Sequence, residues 1–512
     1  MIVGTKNQAT QNYRELMVKV CRGMFDGTLE ETIDNIPEEL YPKERLPSYF
    51  NSIDVERIVC YRQLQSIVGE LINSLAPPSK PLSQSLKETI NRKKQDYLPG
   101  ASVITEACHK CGECNIFSTN ACEGCVARPC VANCPKKAVT IEDGHSVIDK
   151  DKCIGCGMCV KVCPYSAIIK KRIPCMDDCP VDAISRSSSG HSIIDPSKCI
   201  HCGRCSVRCP FGAIVMPSEV VDVISQIKKG ENVIAMVAPA VLGQFSGTSV
   251  QLRAACKKCG FADMVEVALG ADTTSLTESK EYFEEVAMGK QKLLATSCCP
   301  AWVRCTQVHL KGLEPFVSHT QSPMVYTGDL LKKRDPTCIT VFVGPCTAKR
   351  TEALMKDNTD YVLTAMELSC IFEACEVDVS KMEGKGDPQS TRLPSMESSF
   401  YCVTQGVTQA VIHAAPKALR VIKDETGTLS DDDVTLAPIF VSPLNKTSFK
   451  KLKNWSDRKE EIPGNLLEVM CCDGGCIGGP GNVAAPLVGL NRVKKILPER
   501  PSFQDIEDVL SL

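Results

Sequence analysis

Cysteine in three short loops of the C-terminal half is where this chain can do chemistry. The loops read Thr296-Ser297-Cys298-Cys299-Pro300-Ala301-Trp302, Gly344-Pro345-Cys346-Thr347-Ala348-Lys349 and Cys471-Cys472-Asp473-Gly474-Gly475-Cys476-Ile477-Gly478-Gly479. Thiolates are soft donors that favour iron–sulfur clusters, zinc and copper(I). Each loop follows a short apolar run that reads as a buried strand: residues 292–295, 339–343 and 466–470. In an open α/β sheet, ligands gather beyond the carboxyl ends of strands. Three loops distant in sequence can therefore converge on one soft-metal site.

A second group of cysteines has spacing of its own. Residues 108–209 hold 17 of the 32 cysteines. Cys153, Cys156, Cys159 and Cys163-Pro164, and again Cys199, Cys202, Cys205 and Cys209-Pro210, match the bacterial ferredoxin run C-x2-C-x2-C-x3-C-P. Cys122, Cys125, Cys130 and Cys134-Pro135 form a third run with one enlarged gap. In such pairs the fourth cysteine ligates the other cluster. One [4Fe-4S] cluster then takes Cys122, Cys125, Cys130 and Cys163, and its neighbour Cys153, Cys156, Cys159 and Cys134. A third takes Cys179, Cys199, Cys202 and Cys205. Cys175 and Cys209 need two more ligands, which Cys108 and Cys111 could supply, with Cys114 as competitor or spare. Zinc sites are isolated tetrads, so interlocked runs ending in Cys-Pro speak against zinc. A line of three to four clusters implies one-electron traffic between the surface and a buried site.

The elements that position these cysteines follow from patterning. Residues 1–100 carry apolar positions at helical spacing, at 13–20 and from 55 to 72, and read as a helical extension without chemistry of its own. Residues 101–216 read as an α+β ferredoxin-like region with its clusters. From 217 to 512, strand-like and helix-like runs alternate, as in Val233-Ile234-Ala235-Met236-Val237, which indicates an α/β domain. Residues 381–399, rich in Gly, Pro, Ser and charge, read as a surface loop. A formal charge of −2 and low aromatic content give no footing for nucleic acid. No apolar stretch is long enough to span a bilayer, and no apolar signal core is present. A reducing, cytoplasmic compartment makes metal ligation the better account of clustered cysteine. Cys256-x2-Cys259 lacks partners in the sequence and reads as helix packing, as do Cys305, Cys338, Cys370, Cys375 and Cys402.

At the three loops the chain closely resembles the iron-only ([FeFe]) hydrogenases. Their T-S-C-C-P-G/A-W, P-C-x-x-K-x-x-E and C-x-G-G-C-x-x-G-G signatures appear here as residues 296–302, 345–352 and 472–479. Ala301 is typical of the branch called group B. The resemblance implies an H-cluster: Cys299, Cys346, Cys472 and Cys476 hold its [4Fe-4S] part. Cys476 bridges to a diiron azadithiolate unit bearing CO and cyanide. Lys349 faces a cyanide, the backbone of Pro239 and Ala240 lines the second, Met470 gives an apolar contact, and Glu352 is a partner one layer behind these contacts. Cys298 is a proton-carrying thiol, with Glu278, Ser318 and Glu281 continuing the path to water. Read alone, Glu278 and Glu281 would be a solvated helix face. The implied reaction is reversible H2 oxidation and proton reduction in an anaerobic enzyme. Ferredoxin or a similar one-electron carrier is the partner, and dedicated maturation proteins supply the diiron unit.

The chain departs from the better-known branch at Gly344 (methionine there), Met324 (glutamine), Ala240 (serine), Cys471 (alanine) and Asp473 (proline). Two rival readings are a non-catalytic iron–sulfur assembly factor and a hydrogen sensor. Retention of Cys298, Glu278 and Glu281 favours catalysis over the first. Sensory relatives append a signalling domain, whereas Leu512 follows soon after the third loop.

Overall fold

The computed structural model describes residues 7–72, 80–97, 99–108, 111, 116–383, 392–426 and 436–509. Cys114 and the centre of the 381–399 segment lie outside them; within that segment, Met396–Ser399 is a short helix rather than loop.

Two parallel sheets organise the C-terminal half. Strands β1 (Val233–Val237), β2 (Asp263–Glu266), β4 (Ile339–Gly344) and β5 (Tyr361–Thr364) form one in the order β2-β1-β4-β5. Strands β3 (Leu294–Ala295), β6 (Pro438–Val441) and β7 (Leu466–Val469) form the other in the order β3-β7-β6. Every pairing in both is parallel. Parallel strands are covered on both faces, which is why β4 and β7 read as nearly continuous apolar runs. Helices α2 (Ala268–Tyr282), α3 (Pro300–His309), α4 (Pro323–Arg334), α5 (Ala348–Leu354), α6 (Ala365–Ala374) and α7 (Gly406–Thr426) link and cover the strands. This is the α/β architecture expected.

The cysteine-rich region is built differently. Short antiparallel ribbons join Ile116–Ser118 to Ile168–Lys170, Val139–Glu142 to His145–Ile148, and Ile184–Arg186 to Ser192–Ile194. A fourth joins Ser102–Val103 to Ile214–Val215. One local device recurs at all four Cys-Pro corners. Lys137, Ser166, Asp182 and Gly212, each three residues past its cysteine, adopt positive φ. The chain thereby doubles back, and the next N–H donates to the cysteine sulfur. Ala138, Ala167, Ala183 and Ala213 reach Cys134, Cys163, Cys179 and Cys209 at 3.2, 3.4, 3.3 and 3.4 Å. A left-handed conformation costs a non-glycine residue roughly 1 kcal/mol, so three such residues held there mark a repeated constraint. N–H···S bonds of this kind favour anionic sulfur.

The N-terminal segment is helical, as its periodicity predicts, but shares its core with the sheet. Helix α1 (Gln8–Asp26) buries Met17, Val20 and Cys21 in the cluster that contains Val233, Ala235, Val341 and Leu368. The second expected helix ends earlier than its apolar pattern, at Ile67, and Gly69 follows with φ of +97°. Cys259 is not without a partner. Its thiol is hydrogen-bonded with that of Cys375, each at the C-terminal cap of its helix.

Candidate active site

Because every strand in both sheets is parallel, the loops leaving β1, β3, β4 and β7 open toward the carboxyl ends of their sheets. Cys299, Cys346, Cys472 and Cys476 line a single cavity there. Cys298, Pro239, Ala240, Met324, Lys349 and Met470 line it too. The burial of Cys346 and Cys472 lifts both thiols, the former to about 11, with neighbouring cysteine charge adding to the shift. Thiols crowded in this way resist ionisation until a cation shares their charge. Among the described residues no three His, Cys, Asp or Glu side chains converge on a point that one metal ion could occupy. The four cysteines stand around the cavity wall instead, as thiolates holding a multi-iron group must.

Local structure explains each position. Cys299 caps α3, whose first residue is Pro300. Its thiol is lowered to about 6 by a hydrogen bond from the Cys471 thiol, against the opposing effect of burial. The third loop turns through Gly474 and Gly475 at φ of +73° and +92°. A side chain at Gly475 would meet Thr404 N at 2.7 Å, so no other residue fits. Ile477 N donates to Cys402 O at 2.9 Å and Asn482 Nδ2 to Cys476 O at 3.0 Å, fixing Cys476 at the wall.

Lys349 is the only charged side chain that lines the cavity among the described residues. Its Nζ is 2.6 Å from Glu352 Oε2 and 3.0 Å from Ser322 Oγ. Burial alone would depress its pKa, but the Glu352 carboxylate outweighs it and holds the ammonium charged.

Cys298 packs against Ala271, Tyr401, Val407, Ala410 and Met470. Burial, then the charge of Glu278, raises its thiol well above the ordinary range, so it stays protonated. Glu278 is fully buried on α2, and burial followed by the charge of Glu281 lifts its carboxyl to about 8. Its Oε1 accepts from Ser297 N at 3.2 Å, and it is hydrogen-bonded to Ser318. Its Oε2 is buried with no partner among the described residues. Ser318 Oγ donates to Glu281 Oε2 at 2.6 Å, and Glu281 also receives His319 N at 2.8 Å and Thr320 Oγ1 at 2.8 Å. Glu281 is half-buried, so a continuous string of titratable and hydroxyl groups runs from beside Cys298 outward. The solvated-face reading of Glu278 fails here, since helix α2 lies between α4 and α7.

Four residues at the site carry no motif signal. Phe342, Tyr401 and Cys402 line the cavity, and the Tyr401 hydroxyl is 2.9 Å from Ser275 Oγ. Phe342 explains Gly344: a side chain there would meet the Phe342 ring at 2.3 Å. Glu468, on β7, is 1% exposed and accepts from Gln405 N at 2.6 Å and from Thr408 Oγ1 at 2.9 Å. Its charge bears on both Cys298 and Glu278.

Most of the cysteines between 108 and 209 act on one another in four groups. Burial, with Cys125 and Cys163 adding to it, raises Cys130; burial, with Cys153 and Cys134, raises Cys159. Cys179 and Cys199 act on Cys202 and Cys205 in the same way. Cys175 feels Cys108 and Cys111, and Cys209 feels Cys175 and Cys108, so the pairs left over in the sequence meet in space. Cys202 lines two cavities, that of its own set and that of the catalytic loops.

Known proteins resemble this chain over both its cysteine-rich and its sheet-containing regions. Residues 231–480 match the family "Iron only hydrogenase large subunit, C-terminal domain", and residues 146–169 and 192–215 match "4Fe-4S binding domain". The periplasmic [Fe] hydrogenase large subunit of Nitratidesulfovibrio vulgaris is 31% identical over 385 residues, 66% of this chain and 86% of that one. Iron hydrogenase 1 of Clostridium pasteurianum is 26% identical, over 49% of this chain and 50% of its own length. A cytosolic Fe-S cluster assembly factor of Eremothecium gossypii is 24% identical, over 43% of this chain and 58% of its own. Among solved structures, an [FeFe]-hydrogenase of Chlamydomonas reinhardtii aligns with 55% of this chain and 88% of its own, at 20% identity and a TM-score of 0.43.

Proposed function

The chain belongs to the iron-only hydrogenase large-subunit family, and from that premise we propose that it is an [FeFe]-hydrogenase, interconverting H2 with two protons and two electrons. In this reading residues 1–100 are a helical extension, 101–216 the cluster-bearing domain and 217–512 the catalytic domain. Ala301, typical of the group B branch, supports placing it there.

The residues present fit an H-cluster. Four thiols ring one cavity, its other walls are largely apolar, and one buried ammonium reaches it. Soft donors suit iron, and a lone desolvated cation suits a group carrying anionic ligands. Cys299, Cys346, Cys472 and Cys476 would hold the iron–sulfur group, and Lys349 would face its anionic ligands while Glu352 keeps the ammonium charged. When bound, the group supplies the making and breaking of the H–H bond. The chain moves the proton. Cys298, held protonated, exchanges it at Sγ; Glu278, poised near neutrality, receives it at the unpartnered Oε2; Ser318 and Glu281 pass it to water. Apolar walls from Pro239, Ala240, Met324 and Met470 exclude solvent from the cavity. Cys202, which lines both cavities, would stand between the catalytic group and the accessory [4Fe-4S] clusters, and those clusters would supply one-electron exchange with ferredoxin or a similar carrier. Maturation proteins would deliver the diiron unit.

The observation that carries this reading is Glu278: a carboxyl buried beside Cys298, tied through Ser318 to Glu281. A scaffold that only assembled or delivered clusters has no use for a buried acid string ending at a non-ligand thiol. The assembly-factor reading rests on the likeness to the Eremothecium protein. Hydrogen–deuterium exchange under D2, followed by mass spectrometry on the matured chain, separates the two. HD production supports the hydrogenase. Its absence from a chain with a full complement of iron supports the assembly factor.

A further inference from the structure

Of the cysteines the structure describes, Cys156 alone is exposed. Its spacing groups it with Cys153 and Cys159, on which Cys134 also bears, in a part of the cysteine-rich region whose ribbons and short helices pack chiefly on one another. The surface around it is unusual in two respects. Ile154 and Met158, flanking Cys156, are 62% and 44% exposed. Exposed lysines accompany them: Lys170 Nζ donates to Gly155 O at 3.0 Å, Lys161 shares the helix Met158–Val162 with Met158, and Lys136 and Lys137 follow Cys134, which bears on Cys159. Among the described residues Lys136, Lys137 and Lys161 enter no ion pair within 4.0 Å. Between 116 and 172 there are nine lysines and arginines against five aspartates and glutamates, in a chain whose formal charge is −2.

We infer that this patch, Cys156 with Ile154 and Met158 inside a rim of Lys136, Lys137, Lys161 and Lys170, is the docking surface for an acidic one-electron carrier protein. The inference rests on the proposed electron traffic through the accessory clusters and adds where it meets the outside and what charge the partner bears. Each requirement of a transient redox contact is met. An exposed ligand shortens the path from a partner's centre to the cluster. A small apolar patch supplies contact area without a permanent interface, as weak electron-transfer contacts do. Unpaired lysines at the rim steer an oppositely charged partner and speed its encounter. The transferred species is one electron: the carrier is oxidised by one unit as the cluster held by Cys134, Cys153, Cys156 and Cys159 is reduced by one.

The test uses the full chain with its [4Fe-4S] clusters loaded and the diiron unit withheld, so its outcome is independent of H2 chemistry. An acidic 2[4Fe-4S] ferredoxin is photoreduced, and bleaching of the accessory clusters is followed by stopped flow. The rate should fall steeply as salt is raised. In Lys136→Glu/Lys137→Glu it should fall by about tenfold or more at low salt, and Ile154→Ser should slow it without changing the salt dependence. Bleaching by photoreduced deazaflavin, a small carrier that needs no docking, should be unchanged in both. A charge-reversed chain that accepts electrons from the ferredoxin at the unaltered rate overturns the inference. So does a salt-independent rate in the unaltered chain, which also decides the matter if the double variant fails to load its clusters. Absence of HD production with the docking rates as expected would overturn only the hydrogenase reading.

Discussion

The backbone N–H of Ser297 donates to Oε1 of Glu278 at 3.2 Å, which ties a buried carboxyl on helix α2 to the residue just before Cys298. That bond occupies one carboxyl oxygen and leaves Oε2 free and buried. A carboxyl pinned at one oxygen and open at the other is oriented for proton transfer, and its elevated pKa, about 8, matches the requirement that a relay group titrate near working pH.

Glu278→Gln keeps the Ser297 bond and removes the titration. Turnover with a viologen donor should fall by about 10²-fold or more, with iron content and cluster spectra unchanged. Cys298→Ala should do the same. Full turnover in either loaded variant removes that residue from the path.

Glu278 also sets a pH dependence of stability. Its folded pKa of about 8 lies above the ordinary 4.5. Across that window the folded chain keeps a proton that the unfolded chain has released. The contribution of Glu278 therefore declines as pH rises through the window and is flat above it. Denaturant melts of the loaded chain at about pH 5 and about pH 9 should differ less in Glu278→Gln than in the unaltered protein. At the higher pH the variant should be the more stable, on the order of a few kcal/mol.

Cys471 donates a hydrogen bond to Cys299. Hydrogen bonds to cluster sulfurs raise reduction potential by stabilising the more negative reduced state. Cys471→Ala should lower the potential of the cubane held by Cys299, on the order of tens of millivolts, in an electron paramagnetic resonance titration. An unchanged or raised potential would place that hydrogen bond elsewhere.

Lys349→Met leaves the half-buried Glu352 without its cation and should cost on the order of 1–3 kcal/mol. Adding Glu352→Gln should restore stability to a melt without restoring turnover, because the ammonium at the cavity wall is still missing. Recovery of both would make the pair purely structural.

Cys175 meets Cys108 and Cys209 in space. Cys175→Ser should remove about one cubane's worth of iron, roughly four atoms per chain. An unaltered iron content would dismiss the fourth accessory cluster.

Much of this was legible because the chemistry uses one residue type at fixed spacings. The cysteine runs, the three loops and the strands before them announce themselves locally. The buried state of Glu278 could not be read from Thr277-Glu278-Ser279-Lys280-Glu281, which looks solvated until α4 and α7 cover it. Phe342 is one more apolar residue in a strand, and only its ring against Gly344 shows that it fills the cavity wall. Tyr401 and Cys402 sit in a segment with no periodic or motif signal. The Cys259–Cys375 pair joins the ends of two helices 116 positions apart in sequence. The N-terminal helices read correctly as helices, but their pattern says nothing of which core receives them. That is a tertiary fact: α1 lies against α6 and shares the β1 and β4 core.

The most direct test of the central claim is infrared spectroscopy of the matured chain under H2. The account predicts sharp bands of iron-bound CO and cyanide that shift when H2 is replaced by an inert gas, and whose cyanide component moves in Lys349→Met. A chain that has passed through competent maturation with its full iron content, yet shows no CO or cyanide band, would contradict it.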